Sequence, residues 1–401
     1  MGKCQICKKE SNLISSFLGL CLNCIRNNPE KALPIAEAAH ERSRKKFALS
    51  WGKPPKEKQK EKKKEEKEEK KEKQKEEKKE KQKEEKKEKE KEEKKEKTSI
   101  QCKFCGNECA IPEGERGFCG LVKNEGGRIL REKEIAASFY RDPHPTNCVS
   151  QWACAASGYG YPKFSYCDGI EYGYHNLAVF CTACSLDCLF CQNWHFRKEV
   201  LNPPYISDDE ILNSVEEKTS CICFFGGDPS PQLDKIIRIC RKMKEKFRGK
   251  ILRFCLETNG NANSNILKSF AEIGFESGGT QKFDLKFWDE NLSKAITGVS
   301  NKTTLKNFEI LGEYVRDRKP PFLSASTLMV PGYIDEEEIK NITKFIASIN
   351  ENIPYSLLAF FPNFEMSDLP LTTRKDALNY MKIAKASGLK NVRIGNVHIL
   401  V

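Results

Sequence analysis

From residue 176 onward, short apolar runs alternate with stretches whose apolar residues recur every three to four positions. The runs at 176–180, 221–225, 252–256, 282–285, 323–330, 355–360 and 392–394 have the length and composition of buried strands. Between them, 207–217, 231–246, 263–273, 304–314, 335–349 and 373–386 carry the period of helices with one apolar face. Repeated strand–helix units predict an α/β fold, a parallel sheet curled into a partial or full (β/α) barrel. Functional residues then belong at the carboxyl ends of the strands.

The pattern fails upstream of residue 136, and two short cysteine-rich segments stand there instead. Residues 1–50 contain Cys4-x2-Cys7 and Cys21-x2-Cys24, two knuckles that suit a tetrahedral structural zinc. A segment this short buries too little apolar surface alone, so the metal would supply folding energy. A helix is expected over 34–47. Residues 99–135 hold a second set, Cys102, Cys105, Cys109 and Cys119, whose spacing fits zinc or an auxiliary iron–sulfur cluster. Between the two lies 51–98, of which 56–97 consists of 22 Lys, 17 Glu and 3 Gln. With no apolar residue it forms no core and no coiled-coil seam, and reads as a charged spacer, partly helical or disordered. Residues 136–401 make up the barrel domain.

Charge changes this picture little. The formal net charge is +12, of which the Lys/Glu tract supplies +5, and about a quarter of the remaining residues are charged, as in ordinary globular chains. No apolar run is long enough to span a membrane, and no export signal is present. With 19 cysteines, this predicts a reducing cytoplasmic setting with thiolates used for metals.

The informative cysteines are Cys184, Cys188 and Cys191, spaced CxxxCxxC just after the first strand of the repeat. A cluster that only carries electrons normally has four cysteine ligands; three leave one iron open to another ligand. Cys181-x2-Cys184 offers a zinc half-site instead. After the second strand comes Gly226-Gly227-Asp228-Pro229, where paired glycines admit a ligand close to the backbone. The carboxylate of Asp228 can accept from an ammonium. After the third and fourth strands stand Glu257-Thr258-Asn259-Gly260 and Asp284-Leu285-Lys286. The five histidines show no zinc-ligand spacing, and Cys148, Cys154 and Cys167 are either buried thiols or ligands to a further centre with Cys181.

The CxxxCxxC loop with Phe190 before its last cysteine resembles the signature of the radical S-adenosylmethionine (SAM) superfamily. The resemblance implies a 4Fe-4S cluster on Cys184, Cys188 and Cys191 whose open iron chelates SAM. The cluster's electron would cleave SAM to a 5′-deoxyadenosyl radical that abstracts hydrogen from a substrate. It further implies that Phe190 lies against the adenine and that Gly226, Gly227 and Asp228 hold the methionyl end, with Asp where the family pattern has Glu. Glu257, Asn259, Asp284 and Lys286 resemble pocket residues of pyruvate formate-lyase activating enzymes. Over about 100–401 the chain is similar to the radical SAM proteins of the AmmeMemoRadiSam system, relatives of glycyl-radical activating enzymes. An electron donor such as ferredoxin or flavodoxin is implied, and a protein substrate is one alternative. A non-catalytic iron–sulfur or zinc adaptor is the rival from another class, disfavoured by the glycine and Glu257–Gly260 segments. The N-terminal unit lies outside the resemblance and is expected to be dispensable for SAM cleavage.

Overall fold

The apolar repeat folds into a nine-stranded sheet in a computed structural model that describes residues 1–51, 99–315 and 318–401. The Lys/Glu tract, expected as a spacer, lies outside the described residues. At the N-terminus, β1 (Gly2–Lys3) and β2 (Glu10–Ser11) pair antiparallel, followed by α1 (Leu22–Asn27) and α2 (Pro29–Lys45). Two small hairpins come next: β3 (Ile100–Gln101) with β4 (Ala110–Ile111), and β5 (Lys123–Glu125) with β6 (Arg128–Leu130).

The main sheet is built from β7 (Ile135–Pro143), β8 (His175–Cys181), β9 (Tyr205–Ile206), β10 (Thr219–Gly226), β11 (Arg253–Thr258), β12 (Gln281–Asp284), β13 (Leu323–Met329), β14 (Tyr355–Ala359) and β15 (Val392–Gly395). Its order is β15-β14-β13-β12-β11-β10-β8-β7-β9. The strands from β8 and β10 through β15 run parallel, whereas β7 runs antiparallel to β8 and to β9. β15 and β9 are the two ends, so the barrel is partial and open on one side. Helices α3 (Asp208–Asn213), α4 (Leu233–Lys246), α5 (Ser264–Ser277), α6 (Glu290–Thr297), α7 (Lys302–Gly312), α8 (Glu336–Ile349) and α9 (Arg374–Ala386) connect the strands.

Alternation along the strands divides the two faces. Leu177, Val179 and Cys181 of β8, Ile222 and Phe224 of β10, and Phe254 and Leu256 of β11 pack into the apolar core with the helices. Their neighbours point into the barrel and are polar or sulfur-bearing: Cys223 stands beside Cys255, Glu257 beside Lys282, and Asp284 beside Ser326. A fully parallel sheet is normally apolar on both faces. Here the inner face has another task.

Three departures from the apolar pattern have physical reasons. Helix α2 begins at Pro29 and runs through Pro34, where a start was expected. The proline forfeits one backbone hydrogen bond near the helix start, and burial of Ala32, Ala36 and Ala39 offsets it. The helix expected over 207–217 ends at Asn213, and Ser207 and Glu210 form a capping box at its start. Strand β7 went unread because its outer half is exposed and its apolar residues do not alternate cleanly.

The segment 144–171 closes the amino-terminal end of the barrel. His144 Nε2 meets Ser220 Oγ at 3.1 Å, Ser150 Oγ meets Ser324 Oγ at 2.7 Å, and Trp152 Nε1 donates to Ser356 Oγ at 3.3 Å. A buried ion pair, Arg253 Nη2 to Glu171 Oε2 at 2.6 Å, locks the plug to β11.

Candidate active site

The loop 182–191 emerges where β8 ends and is gripped from several sides. Asp187 N donates to Thr297 O at 2.7 Å and Leu189 N to Ile296 O at 3.0 Å, fixing it to the end of α6. Asn107 Nδ2 of the second cysteine segment donates to Ser185 O at 2.7 Å. The Asp187 side chain is fully buried and receives His40 Nδ1 at 2.8 Å, Arg44 Nη1 at 3.3 Å, and Arg197. Burial opposes its ionisation, and Arg197, His40 and Arg44 outweigh that, holding the carboxyl well below the usual range.

His40 and Arg44 belong to α2. The N-terminal unit is therefore part of the wall behind the cysteine loop, and the expectation that it stands apart from the site is corrected. Trp51 stacks on His40 with ring centroids 5.1 Å apart, and Arg44 Nη2 also donates to Phe118 O at 2.6 Å, one residue before Cys119. The two cysteine segments thus meet behind the loop. Nothing in the sequence ties His40 and Arg44 to a residue more than 140 positions away; the one available hint was their i,i+4 spacing on a helix face.

The glycine segment abuts the loop directly. Gly227 N donates to Cys181 O at 3.0 Å and Asp228 N to Ala183 O at 2.6 Å. A Cβ at Gly227 would lie 2.3 Å from Ala183 O, and Gly226 has φ of +112°, so both positions require glycine. Asp228 is buried and accepts from Ser230 N at 2.8 Å, Thr258 Oγ1 at 2.9 Å and Asn259 N at 2.8 Å. Its carboxylate joins the ends of β10 and β11. Asn259 in turn holds its Nδ2 3.6 Å from Cys184 Sγ and 3.1 Å from Ser185 Oγ.

Further along the rim, Lys282 Nζ donates to Asp284 Oδ1 at 2.8 Å and lies 3.5 Å from Glu257 Oε2. Lys286 Nζ reaches Asp284 Oδ2 at 3.2 Å, which settles its direction as inward. Burial would neutralise both lysines; Asp284 outweighs it and holds both ammonium groups charged. Lys286 Nζ is 5.9 Å from the centre of the Phe190 ring, and that ring packs edge-on to Phe287. Phe190 is almost fully buried at the base of the loop.

The thiols fit a cluster in their donor environment. Cys184 Sγ receives Leu186 N at 3.4 Å besides Asn259, and Lys286 and Arg197 bring positive charge to Cys188. In the N-terminal unit, the sulfurs of Cys4, Cys7, Cys21 and Cys24 all lie within 4.8 Å of one another, a spacing suited to one tetrahedral ion. Cys102, Cys105, Cys109 and Cys119 line the second segment without forming so tight a group, with Cys102 N bonded to Cys109 O at 2.8 Å. Cys105 bridges to Ala262 beside the Asn259 turn. Cys181 packs in the apolar core and shares no centre with Cys148 or Cys154, and His195 stacks on Trp194. Among the described residues, no helix is long and apolar enough to cross a membrane.

An open half-barrel thus carries a three-cysteine loop and a glycine pair on one rim. The model of the radical SAM superfamily matches residues 178–346. A protein of Methanocaldococcus jannaschii, provisionally named a glycyl-radical enzyme activating enzyme, is 30% identical over 182 residues, 44% of this chain and 64% of its own length. This chain therefore spans somewhat under two thirds of that relative. An uncharacterized protein of the same archaeon is 24% identical over 315 residues, 74% of this chain and 81% of its own. A solved domain of a pyruvate-formate lyase-activating enzyme from Bacteroides vulgatus is similar at a TM-score of 0.36 and 20% identity, covering 43% of this chain and 98% of that one.

Proposed function

We propose that this chain is an enzyme that cleaves SAM reductively at a 4Fe-4S cluster held by Cys184, Cys188 and Cys191. The observation that carries the reading is the contact between the cysteine loop and the glycine rim, where Gly227 N meets Cys181 O and Asn259 reaches Cys184 Sγ. When bound, cluster and SAM would supply a 5′-deoxyadenosyl radical for hydrogen abstraction. The chain's own residues bind and orient. Lys286 and Arg197 offset thiolate charge, Gly226 and Gly227 bring backbone close to the methionyl end, and Asp228 positions them by tying β10 to β11. Phe190 offers a ring to the adenine, and Glu257, Asn259, Asp284 and Lys286 line the remaining pocket.

A one-electron donor of the ferredoxin or flavodoxin kind would serve the cluster. A zinc ion on Cys4, Cys7, Cys21 and Cys24 and a metal on the Cys102–Cys119 segment complete the cofactor set, with the four units 1–50, 51–98, 99–135 and 136–401 as the domain plan. Anaerobic reconstitution and reduction with dithionite should yield 5′-deoxyadenosine, and Cys184, Cys188 and Cys191 changed together to Ala should yield none. Product from that variant would sink the reading.

The substrate reading favoured by the open side of the barrel is a polypeptide, as for an activating enzyme that takes hydrogen from a glycine. The name of the 30% identical Methanocaldococcus jannaschii relative supports it. A substrate peptide deuterated at the glycine Cα would pass deuterium into 5′-deoxyadenosine; unlabelled product formed alongside altered peptide would refute it.

A further inference from the structure

Beneath the rim, between the sheet and the plug, lies a cavity of about 200 Å³. Five cysteines border it, contributed by three separate stretches of chain: Cys148 and Cys154 from the plug, Cys221 and Cys223 from β10, and Cys255 from β11. Buried cysteines ordinarily serve as small apolar residues, and Cys181 and Cys240 do so here, packed in the helix-facing core. The cavity thiols differ. They face space shared with Lys282, Glu257 and Arg253.

Their placement is enforced. Cys223 and Cys255 are register partners on adjacent parallel strands, so both side chains enter the barrel at one level. Cys148 and Cys154 flank Ser150 and Trp152, the residues pinned to Ser324 and Ser356 across the barrel. Two thiols from the sheet therefore face two from the plug. Cys221 stands one inward-facing position nearer the amino-terminal end than Cys223, paired in register with Arg253 and not with a thiol, and its sulfur donates to Asn176 Oδ1 at 3.3 Å, as that of Cys154 does to Gln151 O at 3.5 Å. Burial, then Glu257 and Cys154, pushes the Cys148 thiol up; burial, then Glu257 and Cys255, does the same for Cys223. Such thiols ionise when a metal takes the proton's place. Lys282 and Arg253, each already paired with a carboxylate, add buried positive charge that thiolate ligands would meet.

We propose that Cys148, Cys154, Cys223 and Cys255 ligate a second iron–sulfur cluster inside the barrel. A single zinc ion holds its sulfurs about 3.8 Å apart, given bonds of about 2.3 Å. The N-terminal knuckle has that kind of spacing, but among the described residues the cavity sulfurs form no group within 4.8 Å. A multinuclear cluster carries its ligands on separate irons and suits the wider set. Since all four ligands are protein thiolates, this centre would not bind SAM.

The test uses the full chain with Cys184, Cys188 and Cys191 changed to Ala, reconstituted anaerobically with iron and sulfide. That variant should keep bound iron, sulfide and a reduced-state paramagnetic signal that SAM does not alter. Adding Cys223→Ser and Cys255→Ser should abolish all three, whereas adding Cys221→Ser, or Cys102→Ser with Cys105→Ser, should leave them. Gel filtration and melting curves identify any variant that fails to fold, and the single change Cys255→Ser then takes its place. Absence of iron from the starting variant, or iron that departs with Cys102 and Cys105 but stays without Cys223 and Cys255, overturns the proposal.

Discussion

Replacing Asp187 by Asn probes the wall behind the cysteine loop. The carboxylate is fully buried and is the common acceptor for His40, Arg44 and Arg197. Asparagine keeps the shape and one acceptor oxygen but leaves two buried guanidinium groups without their counter-charge. Breaking a buried pair from one side costs about 3–5 kcal/mol, because the partner's desolvation is no longer offset. The expected fall in melting temperature is roughly 5 °C for a chain of this length. Since Asp187 sits between Cys184 and Cys188, the loss should reach the cluster: iron retained on the three loop cysteines should drop, and 5′-deoxyadenosine formation with it. A chain beginning near Thr98 lacks His40 and Arg44 and should behave likewise. Differential scanning calorimetry with iron determination reads both effects. A shift below about 2 °C with unchanged iron would refute the claim that this contact holds the loop.

Other outcomes follow from single contacts. Gly227→Ala forces a Cβ to 2.3 Å from Ala183 O, so SAM binding measured by calorimetry should be lost while the apolar core keeps its melting transition. Asp228→Asn removes the charge that Ser230, Thr258 and Asn259 donate to, and should cost about 1–3 kcal/mol in unfolding free energy with weaker SAM binding; an unchanged dissociation constant would count against its positioning role. His144, facing Ser220, Cys221, Glu171 and Arg253, has its pKa lowered to about 4 by burial and by Arg253. The unfolded chain then binds the extra proton first, so stability falls as pH drops from about 6.5, by about 2 kcal/mol at pH 5, and His144→Gln should remove that share in urea titrations. Cys4→Ser with Cys7→Ser should lower bound zinc by one ion per chain and expose α2 to protease; full zinc retention would contradict the tetrahedral assignment.

The strands and helices of the barrel were legible because each buries one stripe of apolar residues, and the period of that stripe is local. So was the rim, since Cys184, Gly226, Glu257 and Asp284 each lie at or just past the carboxyl end of a strand of one parallel sheet. What the sequence withheld is long-range pairing among polar residues. His40, Arg44 and Asn107 look like ordinary surface residues until the fold brings Ser185 and Asp187 to them. That Thr258 and Asn259 donate to Asp228 depends on the register of β10 against β11. The cavity thiols were undecidable from spacing, because Cys148 and Cys154 join Cys223 and Cys255 only once the plug closes the barrel.

The loop of three cysteines is held by contacts with α2 and with Asn107, and both precede it in the chain. During synthesis that part of the clasp is therefore made before the residues it clasps, while Arg197 and the end of α6 follow. The N-terminal knuckle needs only residues within the first 24 to gather its four sulfurs, so it can take its metal while the barrel is still incomplete. The loop of Cys184, Cys188 and Cys191 has no such independence: Asp187 finds its partners only after α2 has formed and the last turn of α6 has been added beneath it. The contacts that hold it are thus drawn from both sides of it in the chain, and the set is complete only when α6 has folded.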